Sequence, residues 1–241
     1  MFWFTIVSMN DQKRQRPCKP DALQTFTLKK LDESIETRVQ LIEREVKDGL
    51  NLIKKYTKTV TFFGSARTME DETDYINARA LAGRISAELG YTIVTGGNLG
   101  IMEAANRGAI ETGGTSLGLT INLPFEHNPN KYLTEQIDFH YFFTRKLCLS
   151  FSAETYIYFP GGFGTFDELF EILTLIQTKK IPQVPIILFG SAFWNPLQQF
   201  IRDYMITNEK VNPEDLNLYV ITDDMDLVIE TIRKTPVKIG A

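Results

Sequence analysis

The residues best equipped for chemistry lie in the stretch Pro160-Gly-Gly-Phe-Gly-Thr-Phe-Asp-Glu168. Gly161, Gly162 and Gly164 leave their backbone N–H groups free to close on an anion, and a helix that starts there adds a favourable dipole. Thr165 is expected at the N-cap of that helix, with a hydroxyl that can also reach a phosphate oxygen. Glu168 follows three residues later. That spacing fits a capping box, a purely structural job. It equally fits a carboxylate in the first helical turn, beside a phosphate, where it can hold a ribose hydroxyl or an attacking water.

Upstream, Arg145-Lys146 closes an aromatic run of Phe139, His140, Tyr141, Phe142 and Phe143. An arginine in that setting can face a nucleobase or a phosphate, or form a surface ion pair. The aromatics, and Met102, can line an apolar base pocket or belong to the core. Two further glycine turns, Gly64-Ser65 and Gly96-Gly97, each follow a β-rich run. Neither has the Gly-Lys-Ser/Thr of a Walker A loop nor the G-x-G-x-x-G of dinucleotide binding, so ATP-driven and NAD chemistry lack support. The only histidines are His127 and His140, and the only cysteines are Cys18 and Cys148, which leaves no zinc spacing and no disulfide framework. Nothing in the chemistry demands a metal or another cofactor, because backbone N–H groups can neutralise a phosphate.

The elements that must position these residues alternate. Strand patterns are expected at 59–63, 91–95, 117–121, 155–159, 185–189 and 218–221. Helical patterns are expected at 71–89, 100–112, 165–178, 192–204 and 224–233. Such alternation means βαβ units and a mainly parallel sheet, with all strand C-termini on one rim. In open sheets of this kind ligands bind at that rim. Three glycine turns converging there suggest a phosphorylated ligand.

Ahead of this body, Leu31, Ile35, Val39, Ile42, Val46, Leu50 and Ile53 recur every three or four residues. They predict an amphipathic helix that packs on its own core, docks a second copy or acts as a lid. The expected organisation is an irregular arm over 1–28, a helix over 29–57 and one nucleotide-binding domain over 58–241. The apolar start MFWFTIVSM is far shorter than the roughly 20 residues of a membrane span, and its basic residues follow it rather than precede it. Apolar residues make up 43% and net charge is −4, as in an ordinary globular chain without a generally basic nucleic-acid surface. Two distant cysteines fit a reducing cytoplasm.

The motif P-G-G-x-G-T-x-x-E at Pro160–Glu168, with an Arg-Lys pair at Arg145-Lys146, resembles the signature of the LOG family, named after the plant "Lonely guy" enzymes and long labelled possible lysine decarboxylases. The block from Gly96 through Met102, Glu103 and Asn106 to Gly108 resembles that family's second glycine loop. Asn122-Leu-Pro124-Phe-Glu126 and Leu175-Ile-Gln177 are similar to its longer members. The resemblance covers about residues 60–195. It implies a Rossmann-like fold, a parallel sheet sandwiched by helices, here with an N-terminal helical extension. It also implies a homodimer or larger homo-oligomer, and hydrolysis of a nucleoside 5′-monophosphate, AMP or a cytokinin riboside, to free base and ribose 5-phosphate. By the same similarity Arg145 and Glu168 form the catalytic pair. Gly161, Gly162, Gly164 and Thr165 hold the phosphate, and Gly64, Ser65, Gly97, Met102, Glu103 and Lys146 line the nucleotide. A pyridoxal-dependent decarboxylase is disfavoured, since no separate pyridoxal-binding pattern accompanies Lys146. The competing expectation is a binding protein without turnover, similar to molybdenum-cofactor carriers. A nucleotide sensor working through the helical extension is a third reading.

Overall fold

The computed structural model describes residues 35–122 and 129–237. The expected arm over 1–28, Leu31, and the segment from Leu123 through Pro124 to Glu126 lie outside the described residues. Residues 35–39 are helical and group with the N-terminal segment, whereas the chain from Gln40 onward forms one compact unit.

In chain order the elements are α1 (Ile35–Lys54), β1 (Thr59–Phe63), α2 (Thr73–Leu89), β2 (Thr92–Thr95), α3 (Ile101–Glu111), β3 (Ser116–Ile121), β4 (Glu135–Phe139), α4 (Phe142–Ser150), β5 (Thr155–Tyr158), α5 (Phe163–Gln177), β6 (Ile186–Phe189), α6 (Ser191–Phe200), β7 (Val220–Thr222) and α7 (Met225–Lys234). A π-helical turn at Ile201–Ile206 continues α6, and a 3-10 helix at Pro213–Leu218 precedes β7. All seven strands run parallel, in the order β4-β3-β2-β1-β5-β6-β7. This is the Rossmann-like α/β fold anticipated from the alternating pattern. Strand order reverses between β1 and β5, so their C-terminal ends flank the crevice where such sheets bind ligands.

Both faces of the sheet are covered, and β1, β2, β5 and β6 are buried at every position although threonines interrupt the apolar residues of β1, β2 and β5. Alternate residues feed opposite layers. Phe63, Tyr156 and Tyr158 pack with Leu119, Phe139, Leu169, Ile172 and Trp194 on one side. Val60, Phe62, Ile157 and Phe159 pack with Leu81, Ile85, Ile93 and Ile101 on the other.

Three expectations need correction. The segment before Arg145 is a strand and a helix, β4 and α4, which the aromatic run concealed. β4 is an edge strand with an alternating, half-exposed pattern, Glu-Gln-Ile-Asp-Phe, too short to stand out from a loop. From residue 40 onward the buried face of α1 is also rotated from the predicted stripe: Glu45, Gly49, Leu52 and Ile53 are buried, while Leu50 is exposed. Finally, α5 starts at Phe163 with Gly162 as its N-cap, so Thr165 is not the cap and Glu168 lies in the second turn, outside a capping box.

Candidate active site

The adjacent strands β2, β1 and β5 bring their three glycine turns to one rim, and the turns lock onto each other. Ser65 N–H donates to the Pro160 carbonyl at 3.0 Å, and the Ser65 carbonyl accepts from Ile101 N–H at 3.0 Å. Its hydroxyl accepts from Arg67 N–H at 3.0 Å. A side chain on Gly64 would come within 2.7 Å of Ile101. Gly64 and Ser65 thus form the seam between β1, α3 and the β5 turn.

The β2 turn is also satisfied from within. Gly97 N–H donates to Thr95 Oγ1 at 2.8 Å, and Thr95 donates to Asn106 Oδ1 at 2.7 Å. Asn106, fully buried on α3, donates in turn to Ser116 Oγ at 2.6 Å. Asn130 clamps the same loop through Asn98 O at 3.0 Å, Asn106 Oδ1 at 2.9 Å and Gly97 O at 2.8 Å. A buried polar network with every member paired holds its shape.

The start of α5 is the opposite case. Its N-cap Gly162 has no side chain to cap with, and a Cβ on Gly162 or Gly164 would meet nothing within 4 Å. The first N–H groups of a helix have no partner within it. Here Thr165 N–H turns back to the Gly162 carbonyl at 3.0 Å, while the space around Gly162 and Gly164 is open, where an anion is favoured. Thr165 is buried, its hydroxyl turned back under Gly161: a Cβ at Gly161 would lie 2.1 Å from Thr165 Oγ1. Phe163 stands 97% exposed at the mouth.

Arg145 reaches into this rim from α4. Its Nε donates to the Leu119 carbonyl of β3 at 2.7 Å. The guanidinium lies over the β2 turn, since a Cβ on Gly96 would come within 2.0 Å of Nη2 and 2.9 Å of Met102 Sδ. Gly96, Met102 and Arg145 therefore form one contact. The side chain is no surface ion pair. Burial lowers its pKa, and the nearby Glu168 charge works the other way.

Glu168 is buried, 8% exposed, and its Oε2 has no hydrogen-bond partner. Burial pushes its pKa up to about 7, against the opposing pull of Arg145 and Lys146. An unpaired buried carboxylate is costly, and a pKa near neutrality in a cleft suits proton transfer. Its neighbour Lys146 is committed elsewhere: Nζ pairs with Asp167 Oδ2 at 2.6 Å and Glu171 Oε2 at 2.9 Å. Burial disfavours the Lys146 charge, yet those two bonds outweigh it and hold the pKa above the usual lysine value. Lys146 thus ties α4 to α5. Glu103, beside Met102 on α3, is close enough to raise the Tyr75 phenol pKa, after burial.

Several supports were not evident beforehand. The Leu119 carbonyl carries no sequence signal. Asn106 did carry one: an amide among Ala104, Ala105 and Ala109, on a helix face that packs into the core. Among the described residues no cluster of three or more His, Cys, Asp or Glu is placed to hold a metal. No described helix is long and apolar enough to cross a membrane.

A doubly wound parallel sheet with an open, glycine-lined helix start, an arginine and a buried carboxylate at its switch point places the chain among the Rossmann-like α/β proteins. Within that class the chain belongs to the family described as possible lysine decarboxylase, the LOG-type family, whose model matches residues 102–232. It is 27% identical over 180 residues to the cytokinin riboside 5′-monophosphate phosphoribohydrolase of Rhodococcoides fascians, covering 73% of this chain and 89% of that protein. Its fold is similar to the molybdenum cofactor carrier protein of Chlamydomonas reinhardtii, with TM-score 0.56 and 22% identity over 74% of this chain and 97% of that one. The molybdenum cofactor binding protein of Rippkaea orientalis gives TM-score 0.52 and 24% identity over 73% and 93%.

Proposed function

We propose that this protein is a phosphoribohydrolase that splits the N-glycosidic bond of a purine nucleoside 5′-monophosphate, AMP or a cytokinin riboside monophosphate. The observation that carries the reading is Glu168, an unpaired buried carboxylate with a pKa near 7, next to Arg145 and on the helix whose start is open to an anion. The similarity to the Rhodococcoides fascians enzyme supports it.

In this reading the 5′-phosphate sits at the start of α5, on the N–H groups of Gly161, Gly162 and Gly164. The C1′–N bond breaks through an oxocarbenium-like state. Glu168 as carboxylate takes a proton from water, whose oxygen bonds to C1′. Arg145 stabilises the charge collecting on the departing base. The proton taken up by Glu168 passes to the departing base nitrogen, which restores the carboxylate, and ribose 5-phosphate remains. Gly97 and Met102 shape the pocket for the base; Gly64, Ser65, Thr165 and Lys146 hold the frame. Glu168 can also steady the ribose hydroxyls or the positive sugar, tasks that likewise require the carboxylate.

The family description points instead to lysine decarboxylation. That reaction calls for an electron sink, usually pyridoxal phosphate on a neutral lysine. Lys146, the lysine nearest the pair, is held charged by two carboxylates, which does not fit that role.

We also infer a homodimer in the cytoplasm. On α4, Phe142, Phe143 and Leu147 are exposed apolar residues, and Phe170 of α5 is exposed as well. Patches of this kind mark association surfaces.

The test is incubation of purified protein with AMP and with isopentenyladenosine monophosphate, following free base by chromatography, with Arg145→Ala and Glu168→Gln alongside. Base released by wild type and not by the variants supports the reading. Tight nucleotide binding without release by wild type replaces it with a carrier or sensor.

A further inference from the structure

The helix that carries Arg145 is held at its entrance from outside the family-matched segment. Glu45, on α1, is 5% exposed. Its Oε1 accepts from His140 N–H at 2.5 Å, and its Oε2 accepts from Thr144 Oγ1 at 2.6 Å and Tyr141 N–H at 3.4 Å. Tyr141 is the N-cap of α4 and has no side-chain cap of its own. Glu45 therefore ties the two residues just ahead of α4 to the Thr144 hydroxyl in its first turn, and its carboxyl group lies at the positive end of the α4 dipole.

A second contact holds the same helix one turn past Arg145. A Cβ on Gly49 would lie 2.5 Å from Cys148 Sγ and 2.8 Å from Phe139 Cζ. Only a residue without a side chain lets α1 approach this closely. Glu45 and Gly49 are one turn apart on α1 and flank Arg145 on α4, so α4 cannot slide or rotate without breaking one of the two contacts. The far end of Arg145 has similarly little freedom, pinned between Leu119 O and Gly96.

We propose that Glu45 is a positioning residue, which fixes the entrance of α4 and thereby sets where the Arg145 guanidinium lies over the β2 turn. The N-terminal helix is then part of the site's architecture rather than an appendage. The inference rests on the reading of Arg145 as a residue that acts on the substrate.

The experiment compares wild type, Glu45→Ala, Glu45→Gln and Lys47→Ala, the last on the exposed side of α1. It measures kcat and KM for AMP, the AMP dissociation constant by calorimetry, and hydrogen exchange of backbone amides over 139–147 by mass spectrometry. Glu45→Ala is expected to lower kcat by about 10²-fold, the scale of a misplacement near 1 Å, with KM nearly unchanged. Exchange over 139–147 is expected to quicken. Glu45→Gln keeps the shape and one acceptor oxygen but turns an NH₂ toward the remaining donors, so it falls between. It also carries the test if Glu45→Ala does not fold. Lys47→Ala matches wild type. Wild-type kcat in folded Glu45→Ala, or unchanged exchange over 139–147, overturns the proposal. If wild type itself releases no base, the hydrolase reading has failed, and exchange together with AMP affinity decides the role of Glu45 separately.

Discussion

Two buried glutamates stand at opposite ends of the same strand pair, and they are treated in opposite ways. At the amino-terminal end of β1 and β5, Glu154 is 2% exposed and its Oε2 accepts from Thr59 N–H at 2.6 Å and Thr59 Oγ1 at 2.9 Å. At the carboxyl-terminal end, Glu168 is 8% exposed and its Oε2 accepts nothing. Nearly equal burial thus gives a closed clasp in one place and an unmet acceptor in the other. Buried polar groups are as a rule paired. An exception beside an arginine and an open helix start singles out the carboxyl-terminal end of the strands as the candidate site.

The largest effect that would sharpen this contrast is on turnover. Replacing Glu168 with Gln removes a proton-transfer group, and kcat is expected to fall by about 10³-fold with AMP affinity nearly intact. Glu154→Gln is expected to leave kcat per folded molecule at wild type. Base release from both variants, scaled to folded protein by circular dichroism, decides it. Equal losses from both would erase the distinction between clasp and catalyst.

A steric version tests the other member of the pair. Gly96→Ala places a methyl group where the Arg145 guanidinium lies. The guanidinium must move, and turnover is expected to drop by about 10²-fold. Gly162→Ala, where a Cβ meets nothing within 4 Å, provides the counterpart. It should fold as wild type and weaken phosphate binding only as far as the methyl intrudes on the anion. If Gly96→Ala turned over normally, the crowding of Arg145 against the β2 turn would have no bearing on catalysis.

What was legible beforehand divides along the same line. The alternation of β-rich runs and glycine turns located β1, β2, β3, β5 and β6 and the helices α2, α3 and α5, because buried strands are rich in β-branched and aromatic residues. The site residues stood out because glycines, an arginine and a carboxylate sit at fixed offsets along the chain. Pairings between distant segments left no comparable trace. Glu45, one of many charged residues along α1, carries no signal of its own, yet it is buried against α4. Ser65 was expected to line the nucleotide; its N–H and carbonyl join the neighbouring turns, and its hydroxyl accepts from Arg67 N–H within its own turn. β4 was hidden because an edge strand carries only a half pattern. Even Thr165 was displaced by local geometry, since Gly162 can serve as the N-cap without a side chain and the helix starts two residues earlier than the threonine suggests.

The pH dependence of the reaction is a smaller and more diagnostic effect. Glu168 must be ionised to accept a proton, and its pKa is raised to about 7. The kcat/KM profile should therefore rise with pH and level off above that value, losing about tenfold per unit below it. A profile with the reverse slope would make the protonated acid the working form, and the water-activating role would be lost.

The same raised pKa has a consequence for stability that separates the two glutamates without any substrate. A carboxyl whose pKa is higher in the folded chain than in the unfolded one favours folding while it is protonated. That contribution is complete below the unfolded value, near 4.5, and is lost as pH rises through about 7. Above neutrality the wild-type chain carries a buried charge with no hydrogen-bond partner on Oε2, a penalty on the order of 3 kcal/mol for a shift of this size. Glu168→Gln cannot ionise. It should melt close to wild type near pH 5 and several degrees above it at pH 8, at roughly 2–4 °C per kcal/mol for a chain of this length. Glu154→Gln should do the opposite and melt lower, because it disturbs the two hydrogen bonds from Thr59, together worth about 1–3 kcal/mol. Calorimetric melting of both variants at the two pH values would show opposite signs at pH 8. A Glu168→Gln chain that melts below wild type at pH 8 would mean that this carboxylate is satisfied after all.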